Sequence, residues 1–325
     1  MKKVVVVILV FLALLGVGGF VTYDKLFGAV DPKSPQESTF VVPMKEEEAK
    51  TISRLKTDGF IKDTWAFNFV LGYKKLRGQI KPGGYNLAKN LNAWQLAQKV
   101  TAAPDMKWIV IKEGIRKEQI AELMATKFGW SQKDVDDWND LYTRQKLEYL
   151  EGVYFPDTYL IPVSEKNWEL AQRLINRFNE KFAPFVEKFY EKNIQWTTGL
   201  KIASLIERET GDVKDMPLIS GIIWKRLEID MRLQIDATLQ YAKGKVGDKW
   251  WSLVKPEDKY IDSPYNTYQN KGLPPTPICN PGLDAIEAAL NPTETECLFY
   301  LHDPSGTMHC AETYEEHIEN VKKYL

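Results

Sequence analysis

Residues 197–210 read TTGLKIASLIERET, a stretch whose apolar residues recur at the spacing of one helical face. The pattern predicts an α-helix that ends near its last residue. Ala203, Ile206 and Thr210 lie on one stripe of this helix, and Glu207 joins them. The stretch therefore places an acidic side chain among apolar neighbours, and the rest of the chain is best interpreted around it.

A carboxyl in such surroundings suits proton transfer. Ser204 lies one turn before Glu207, and Leu205 and Ile206 flank it. Desolvation raises the pKa of a carboxyl and suits it to general acid catalysis near neutral pH. The alternative is a solvated glutamate or an ion-pair partner near the end of an amphipathic helix, and spacing alone favours that alternative.

Polar residues follow in two further segments. MRLQIDATLQYA carries Gln234 and Asp236 between apolar residues, and Asp236 is either a second candidate carboxylate or an ordinary N-cap. Tyr265 and Asn266 lead into GLPPTPICNPG, residues 272–282. This proline-rich loop loses little entropy on ordering, so it can form one wall of a groove or serve simply as a connection.

The chain before this region alternates short strands and helices. TFVVPM at 39–44 is a predicted strand followed by a short amphipathic helix. A short strand at 85–87 precedes a helix that Asn92 caps and that runs to about residue 101, and the strand WIVIK at 108–112 with a helix at 116–128 repeats this unit. The recurrence suggests compact α+β modules of the peptidoglycan-binding LysM kind, and two unrelated strand–helix pairs are the alternative. Residues 166–192 predict a long amphipathic helix or helix pair, broken at Pro184.

The N-terminus has the pattern of a membrane anchor. Lys2 and Lys3 precede an uncharged run at 4–23, which is long enough to cross a bilayer as a helix. A cleaved signal peptide is the rival interpretation, but the run is longer than the usual signal core, and no clear cleavage site follows. Retention would place residues 1–3 in the cytoplasm and the rest of the chain outside, joined through a tether at 24–37.

Composition excludes several classes of protein. The chain has 325 residues, is 44% hydrophobic and 27% charged, and its 43 Lys and Arg nearly balance 44 Asp and Glu. These values are typical of a globular protein with about two domains and argue against a disordered chain or a nucleic-acid binder. The sequence contains no GxSxG, Walker or GxGxxG motif. Carboxylate chemistry on a sugar is therefore the leading enzymatic interpretation.

Cysteine and histidine positions give no sign of a metal site. Cys279, Cys297 and Cys310 are an odd number, and a turn at 303–306 would place Cys310 opposite Phe299. A bridge is therefore not expected, and all three are predicted to be small buried side chains.

The three histidines, at 302, 309 and 317, match no metal-binding signature. We expect neither a metal nor a cofactor.

Six segments, in order, resemble the endolytic murein transglycosylases, the YceG-like family. The segments are LEGVYFPDTY (150–159), IASLIERET (202–210), KRLEIDMRLQIDATLQYA (225–242), SPYNTY (263–268), GLPPTPICNPGLDAIEAALNP (272–292) and GTMHCAETYEEH (306–317). The resemblance covers about residues 38–322. It implies an α+β protein with a single N-terminal transmembrane helix, a LysM-like α+β region at 38–162 and a mixed α/β catalytic domain at 163–325.

The resemblance also implies an activity. The family cleaves the MurNAc–GlcNAc β-1,4 bond of nascent peptidoglycan strands without water and leaves 1,6-anhydroMurNAc ends, which terminates glycan elongation. Implied partners are glycan strands, the cytoplasmic membrane that holds the single-pass anchor, and peptidoglycan synthases, but not nucleic acid.

The family's catalytic glutamate is matched here to Glu207, the first glutamate of ERET. Residues in the matching blocks are candidates for shaping the substrate groove; they are Ser204, Gln234, Asp236, Tyr265, Asn266 and His309.

Three positions depart from the family pattern. Thr276 stands where glycine is usual, Ala237 where proline is common, and Cys310 where an aromatic residue is usual. These departures concern the fit of the substrate more than the reaction type. Two alternatives to the lytic activity stay open: a non-catalytic peptidoglycan-binding scaffold for synthases, and a hydrolytic glycosidase that uses Glu207 with Asp236.

Overall fold

The computed structural model describes residues 2–325 and the side chains of 7–148 and 150–325. Met1, the first residue of the predicted cytoplasmic tail, lies outside the described residues. The helices are α1 Lys2–Phe27, α2 Glu48–Thr57, α3 Thr64–Tyr73, α4 Ala93–Thr101, α5 Lys117–Phe128, α6 Gln132–Asp137, α7 Asn167–Glu191, α8 Trp196–Glu209, α9 Met216–Glu228, α10 Asp236–Lys243, α11 Leu283–Leu290 and α12 Tyr314–Tyr324. The strands are β1 Glu37–Val42, β2 Gly83–Ala88, β3 Met106–Val110, β4 Thr158–Pro162, β5 Phe299–His302 and β6 Met308–Ala311. The predicted α+β class is confirmed.

The chain forms two compact units whose boundary differs from the predicted one. Unit 1 extends to Ile109 and includes Thr158–Ser164, whereas unit 2 contains Val110–Asp157 and Glu165–Leu325. The prediction had placed everything up to residue 162 in the N-terminal part.

Backbone pairing explains the difference. The Gly114 amide donates to the Asn280 carbonyl at 2.9 Å, and the Asn280 amide donates to the Ile115 carbonyl at 3.0 Å. Two reciprocal hydrogen bonds of this kind fix residues 114–115 to the C-terminal unit despite their place early in the chain.

Unit 1 is a strand–helix–helix–strand module extended by two more strands. The sheet order is β1-β2-β3-β4, and β1 pairs antiparallel with β2, with Phe40 opposite Tyr85. Side chains of β1 alternate, so that Phe40 and Val42 enter the core. The core beneath the sheet is completed by residues from the helices and β2, among them Ile52, Leu55, Phe67, Leu71, Leu87 and Leu96.

The predicted recurrence of strand–helix modules is not realised as two modules. Strand β3 joins the sheet of unit 1 beside β2, with Gly84 opposite Met106. The helix that follows it, α5, belongs to unit 2. The alternative of unrelated strand–helix pairs therefore describes the second pair better.

Unit 2 is built around α8, which is buried on nearly all sides. Its fully enclosed residues include Ile202, Ala203, Leu205 and Ile206, and it packs against α7, α9, α10 and α11. Helix α7 continues through Pro184, so the predicted break there is wrong. Its stripe of buried phenylalanines, on both sides of the proline, holds the helix together by packing.

The β5–β6 hairpin contains a disulfide that the sequence analysis did not expect. The Asp303 amide donates to the Thr307 carbonyl, so the connecting loop has one more residue than the predicted turn. The register shifts accordingly, and Cys310 pairs with Tyr300 rather than Phe299. Cys297 and Cys310 form a disulfide with Cα atoms 5.8 Å apart, which corrects the prediction of three free thiols. Cys279 is buried and free, as predicted.

Helix α1 carries the apolar run at the N-terminus. Among the described residues, Val7–Phe27 is the one helical segment long and apolar enough to cross a membrane. Length and composition fit an anchor, and a signal sequence would meet the same criteria.

The start of α4 offers a test of local stability. Asn92 accepts hydrogen bonds from the amides of Trp94 and Gln95 at 3.0 Å, and the Gln95 side chain accepts from the Asn92 amide. Replacing Asn92 with alanine should destabilise α4 by about 1 kcal/mol. Hydrogen exchange of the α4 amides should then be roughly five-fold faster.

The control for this substitution is Gln98→Ala, at an exposed position of the same helix. It should leave the exchange rates unchanged. Equal rates in the two variants would show that the cap contributes nothing.

Candidate active site

Helix α8 presents two glutamates to different sides of unit 2. Glu207 and Glu209 are two residues apart, which on an α-helix separates their side chains by about 200°. Both are half-buried, and burial raises the pKa of each. The two carboxyl groups differ in their hydrogen-bond partners, and only that of Glu209 lines the cavity described below.

Glu207 is held by the backbone of the loop before α11. Its Oε2 accepts a hydrogen bond from the Gly282 amide at 3.0 Å. Burial raises the pKa of Glu207 to about 7; the Gly282 hydrogen bond opposes that rise, and the negative charge of Glu113 adds to it. Glu207 therefore shares a site with another acid, and near pH 7 it is only partly ionised.

Two glycine-containing loops approach the Glu207 side chain. A Cβ atom at Gly282 would stand 2.0 Å from Oε1 of Glu113, so a larger residue there would displace the Glu113 carboxyl. Gly114, at φ +73°, lies so close that a Cβ would be 3.6 Å from Cγ of Glu207. Backbone from two loops, at Gly114 and Gly282, therefore lies near the Glu207 side chain.

Three of the predicted groove residues have structural hydrogen bonds. Ser204 is fully buried; its Oγ donates to the Lys201 carbonyl at 2.7 Å and accepts from the Ile278 amide at 3.1 Å. These bonds fix the proline-rich loop to α8.

Asn266 is likewise fully buried, and its Nδ2 donates to the carbonyls of Lys259 and Ile261. Tyr265 shares a hydrogen bond of 2.7 Å with the Thr276 hydroxyl. The two residues thus order the segment that leads from the short 3₁₀ helix Pro256–Tyr260 into the proline-rich loop.

Glu209 lines a cavity of about 440 Å³ on the other side of α8, which we call the Glu209 cavity. This volume lies within the range of small-ligand sites. Its lining combines polar, aromatic and aliphatic residues and consists of Glu209, Ile222, Ile223, Arg226, Leu233, Gln234, Ile235, Asp236, Lys259, Tyr268, Phe299, Tyr300, Tyr314 and His317.

Neighbouring groups shift the pKa of the Glu209 carboxyl in opposite directions. Burial raises its pKa, and the negative charge of Asp236 adds to the rise. The Tyr300 hydroxyl donates a hydrogen bond to Oε2, and the Arg226 cation is nearby; both oppose the rise. A carboxyl balanced in this way can both release and regain a proton without leaving its hydrogen-bonded position.

Backbone carbonyls position Arg226. Its Nε donates to the Leu298 carbonyl at 2.7 Å, and Nη1 donates to the Leu233 carbonyl. The guanidinium also lies over the Phe299 ring, 5.3 Å from its centroid. Arg226 thereby joins the β5–β6 hairpin to the segment before α10 at the cavity wall.

Gln234, Asp236 and Tyr268 meet at the cavity. Gln234 adopts φ +51°, an uncommon conformation for a residue other than glycine, and its amide donates to the Thr267 carbonyl at 3.1 Å. Tyr268 donates its hydroxyl proton to Oδ1 of Asp236 at 2.6 Å. Strained backbone at a polar cavity is typical of a functional site.

His309 lies away from the Glu209 cavity lining. Its Nε2 is 2.9 Å from Oδ2 of Asp303, and its ring stacks on Tyr324 with centroids 3.6 Å apart. His302 lies 3.1 Å from Asp215. No group of three or more potential metal ligands occurs among residues whose side chains the structure describes.

The structure thus divides the predicted site residues into separate groups. Gln234 and Asp236 share a cavity with Glu209, whereas Glu207 does not line that cavity. Sequence reasoning quoted Glu209 within its motif but gave it no role, and it did not single out Arg226, Tyr268 or Tyr300, which line the same cavity. The short spacing of ERET was the available signal, because alternate residues of one helix cannot share a face.

Comparisons with known proteins agree on one family. Residues 40–323 match the model of the YceG-like family. The chain is 31% identical to an endolytic murein transglycosylase of Bacillus subtilis, and the match covers 95% of this chain and 91% of that protein. It is 29% identical to an endolytic murein transglycosylase of Streptococcus pneumoniae, of which it spans only 65%. A crystal structure of a yceG-like protein from Listeria monocytogenes has a TM-score of 0.63 and 26% identity, covering 87% of this chain and 98% of its own.

The ionisation of Glu207 should be visible in protein stability. Its raised pKa means that the folded protein keeps a proton that the unfolded chain loses as pH rises from about 4.5 to 7. This carboxyl therefore destabilises the fold progressively over that range. Glu207→Gln removes the ionisation, so the variant's free energy of unfolding should increase relative to the unchanged protein between those pH values, as measured by urea unfolding.

Glu294→Gln, at an exposed position, is the matched control and should show no such trend. A difference between Glu207→Gln and the unchanged protein that stays constant with pH would contradict the proposed ionisation of Glu207.

Proposed function

Because the chain belongs to the YceG-like family, we propose that it is an endolytic lytic transglycosylase that cleaves peptidoglycan glycan strands. The observation that carries the proposal is Glu209, an acid of raised pKa on the wall of an open, sugar-sized cavity. The names of the Bacillus and Streptococcus relatives support the same activity. The proposed bond is the MurNAc–GlcNAc β-1,4 linkage, with 1,6-anhydroMurNAc ends as products.

We assign the general acid to Glu209 rather than to Glu207, to which the resemblance had been matched. A general acid must reach the glycosidic oxygen within hydrogen-bond distance. The carboxyl of Glu207 accepts a hydrogen bond from the Gly282 amide and does not line the Glu209 cavity. That of Glu209 lines a cavity whose other polar groups can hydrogen-bond sugar hydroxyls.

One carboxyl suffices for the lytic reaction. Glu209 gives its proton to the glycosidic oxygen as the C1–O bond breaks, and the GlcNAc residue leaves with a free 4-hydroxyl. The C6 hydroxyl oxygen of the same MurNAc then bonds to C1, and its proton returns to Glu209. No water is consumed, and intramolecular attack gains effective concentration over an external nucleophile. A hydrolase would instead need a second carboxyl to activate water or to bond with the sugar.

The cavity supplies the means to hold the sugar. Gln234, Asp236 and Tyr268 offer an amide, a carboxylate and a phenol to sugar hydroxyls, and Tyr314 offers an aromatic face. Nδ1 of His317 is buried without a hydrogen-bond partner among the described residues, so a substrate group could satisfy it. These residues would orient the strand, while Glu209 carries the proton.

The anchor would place this reaction beside the membrane. Lys2 and Lys3 favour a cytoplasmic N-terminus, and α1 would then cross the bilayer and leave both units outside. Strands are cut there as they are made, and cleavage within a strand ends its elongation. Peptidoglycan synthases acting at the same membrane are the proposed partners.

Replacement of the two glutamates one at a time tests the assignment. Glu209→Gln should lower the rate of glycan cleavage by at least about 10²-fold, because a positioned general acid contributes about that much. Glu207→Gln should retain most of the rate. The measurement is digestion of purified peptidoglycan with mass spectrometry of the product ends.

Each other outcome has a definite meaning. Loss of cleavage in Glu207→Gln but not in Glu209→Gln would transfer the acid to Glu207. Reducing ends in place of anhydro ends would indicate a hydrolase, and strand binding without cleavage by the unchanged protein would indicate a scaffold.

The pH dependence of cleavage should report the hydrogen bond from Tyr300. That bond stabilises the ionised form of Glu209 and so lowers its pKa. Tyr300→Phe removes the donor, and the pKa of Glu209 should rise. The acid must be protonated to act, so the alkaline limb of the rate profile should move to higher pH.

Tyr314→Phe is the matched control, because its ring lines the same cavity and no interaction between Tyr314 and Glu209 is seen. Its alkaline limb should stay where it is. If the alkaline limb of the Tyr300→Phe rate profile stays in place, the titration that controls the rate is not that of Glu209.

A further inference from the structure

Unit 1 carries an aromatic surface at the end of α1. Tyr23 and Phe27 of α1 stack at 5.1 Å between ring centroids, and Phe27 lies 6.0 Å from Phe69 of α3 and 6.1 Å from Trp94. Contacts extend along α3 and close on Trp94. The aromatic surface consists of Tyr23, Phe27, Trp65, Phe69, Tyr73 and Trp94.

Much of this surface is open to solvent. The side chains of Trp65 and Tyr73 are 65% and 70% exposed, and Phe69 is 46% exposed. These three residues are four positions apart, so they lie on one face of α3. The other face buries Phe67 and Val70 in the core of unit 1. Helix α3 is therefore apolar on both faces, although the core needs only one.

The position of the surface is fixed by α1. Phe27 is the last residue of the apolar segment Val7–Phe27. Side-chain contacts hold that end of the helix to unit 1, since Lys62 donates to the Asp24 carboxylate at 3.0 Å and to its carbonyl at 2.9 Å. Phe69, whose ring contacts that of Phe27, must therefore lie at the depth where the apolar segment ends, whatever the tilt of α1.

Positive charges follow the aromatic residues. Lys74, Lys75 and Arg77 are exposed directly after α3, and Nζ of Lys74 lies 5.9 Å from the centroid of the Trp94 ring. Aromatic rings with adjacent lysine and arginine are typical of the zone between lipid headgroups and acyl chains.

We propose that the aromatic surface lies in the headgroup zone of the bilayer that α1 crosses, so that α3 rests on the membrane. The proposal depends on the proposed membrane anchor. It assigns the exposed face of α3 to lipid rather than to glycan, because the aromatic residues are continuous with the apolar segment and are followed by cations. Unit 1 is then held to the membrane by two elements, and its height above the bilayer is fixed.

Quenching by brominated lipid tests the proposal. The full-length protein is reconstituted into vesicles of phosphatidylcholine and phosphatidylglycerol, with or without bromine on the upper acyl chain. The chain has ten tryptophans, and Trp65 is the most exposed of those on the aromatic surface. Trp65→Leu should therefore lose a large part of the bromine-dependent quenching, and hydrogen exchange of the α3 amides should be slower in vesicles than in detergent.

Trp168→Leu is the matched control, because Trp168 is 47% exposed on α7 of unit 2. It should leave the quenching unchanged. Flotation of the protein with the vesicles reports the anchor independently: failure to float would remove the anchor and the inference together. Flotation with equal quenching in the two variants would overturn the inference alone.

The same variants decide between lipid and sugar. A fluorescence change at Trp65 on adding soluble glycan fragments in detergent, without bromine-dependent quenching in vesicles, would assign the aromatic surface to glycan and overturn the inference.

Discussion

The site depends on the geometry of one buried helix. Two glutamates that are two residues apart on α8 must point to different sides, because each residue turns the helix by about 100°. Packing on nearly every side fixes α8, so neither carboxyl can exchange its place with the other. Glu207 consequently accepts a hydrogen bond from the loop before α11, whereas Glu209 lines the Glu209 cavity.

Burial of the Glu209 carboxyl would be costly without its hydrogen-bonding partner. The Tyr300 hydroxyl provides that partner from β5, and Arg226 binds the segment next to it through the Leu298 carbonyl. The Cys297–Cys310 disulfide joins the two arms of the same hairpin. The β5–β6 hairpin thus forms part of the wall of the Glu209 cavity.

Unit 1 has an aromatic face on α3 that its own core does not cover. Its core accounts for one face of α3, and the other face is aromatic and meets the end of α1. A lipid interface would satisfy this face without a protein partner.

The sequence by itself determined the α+β class, the apolar N-terminal helix, the family and the existence of α8, because periodicity and motif order depend on local chemistry. It also singled out Gln234 and Asp236, which line the Glu209 cavity. It did not determine which glutamate of ERET faces a cavity. An apolar stripe marks the buried side of a surface helix, but α8 is buried nearly all round. The position of the Glu209 cavity therefore depends on neighbours that are distant in sequence. The sequence did not predict the disulfide for a similar reason. The folded hairpin has one more loop residue than the predicted turn, and this residue shifts the register of β5 and β6.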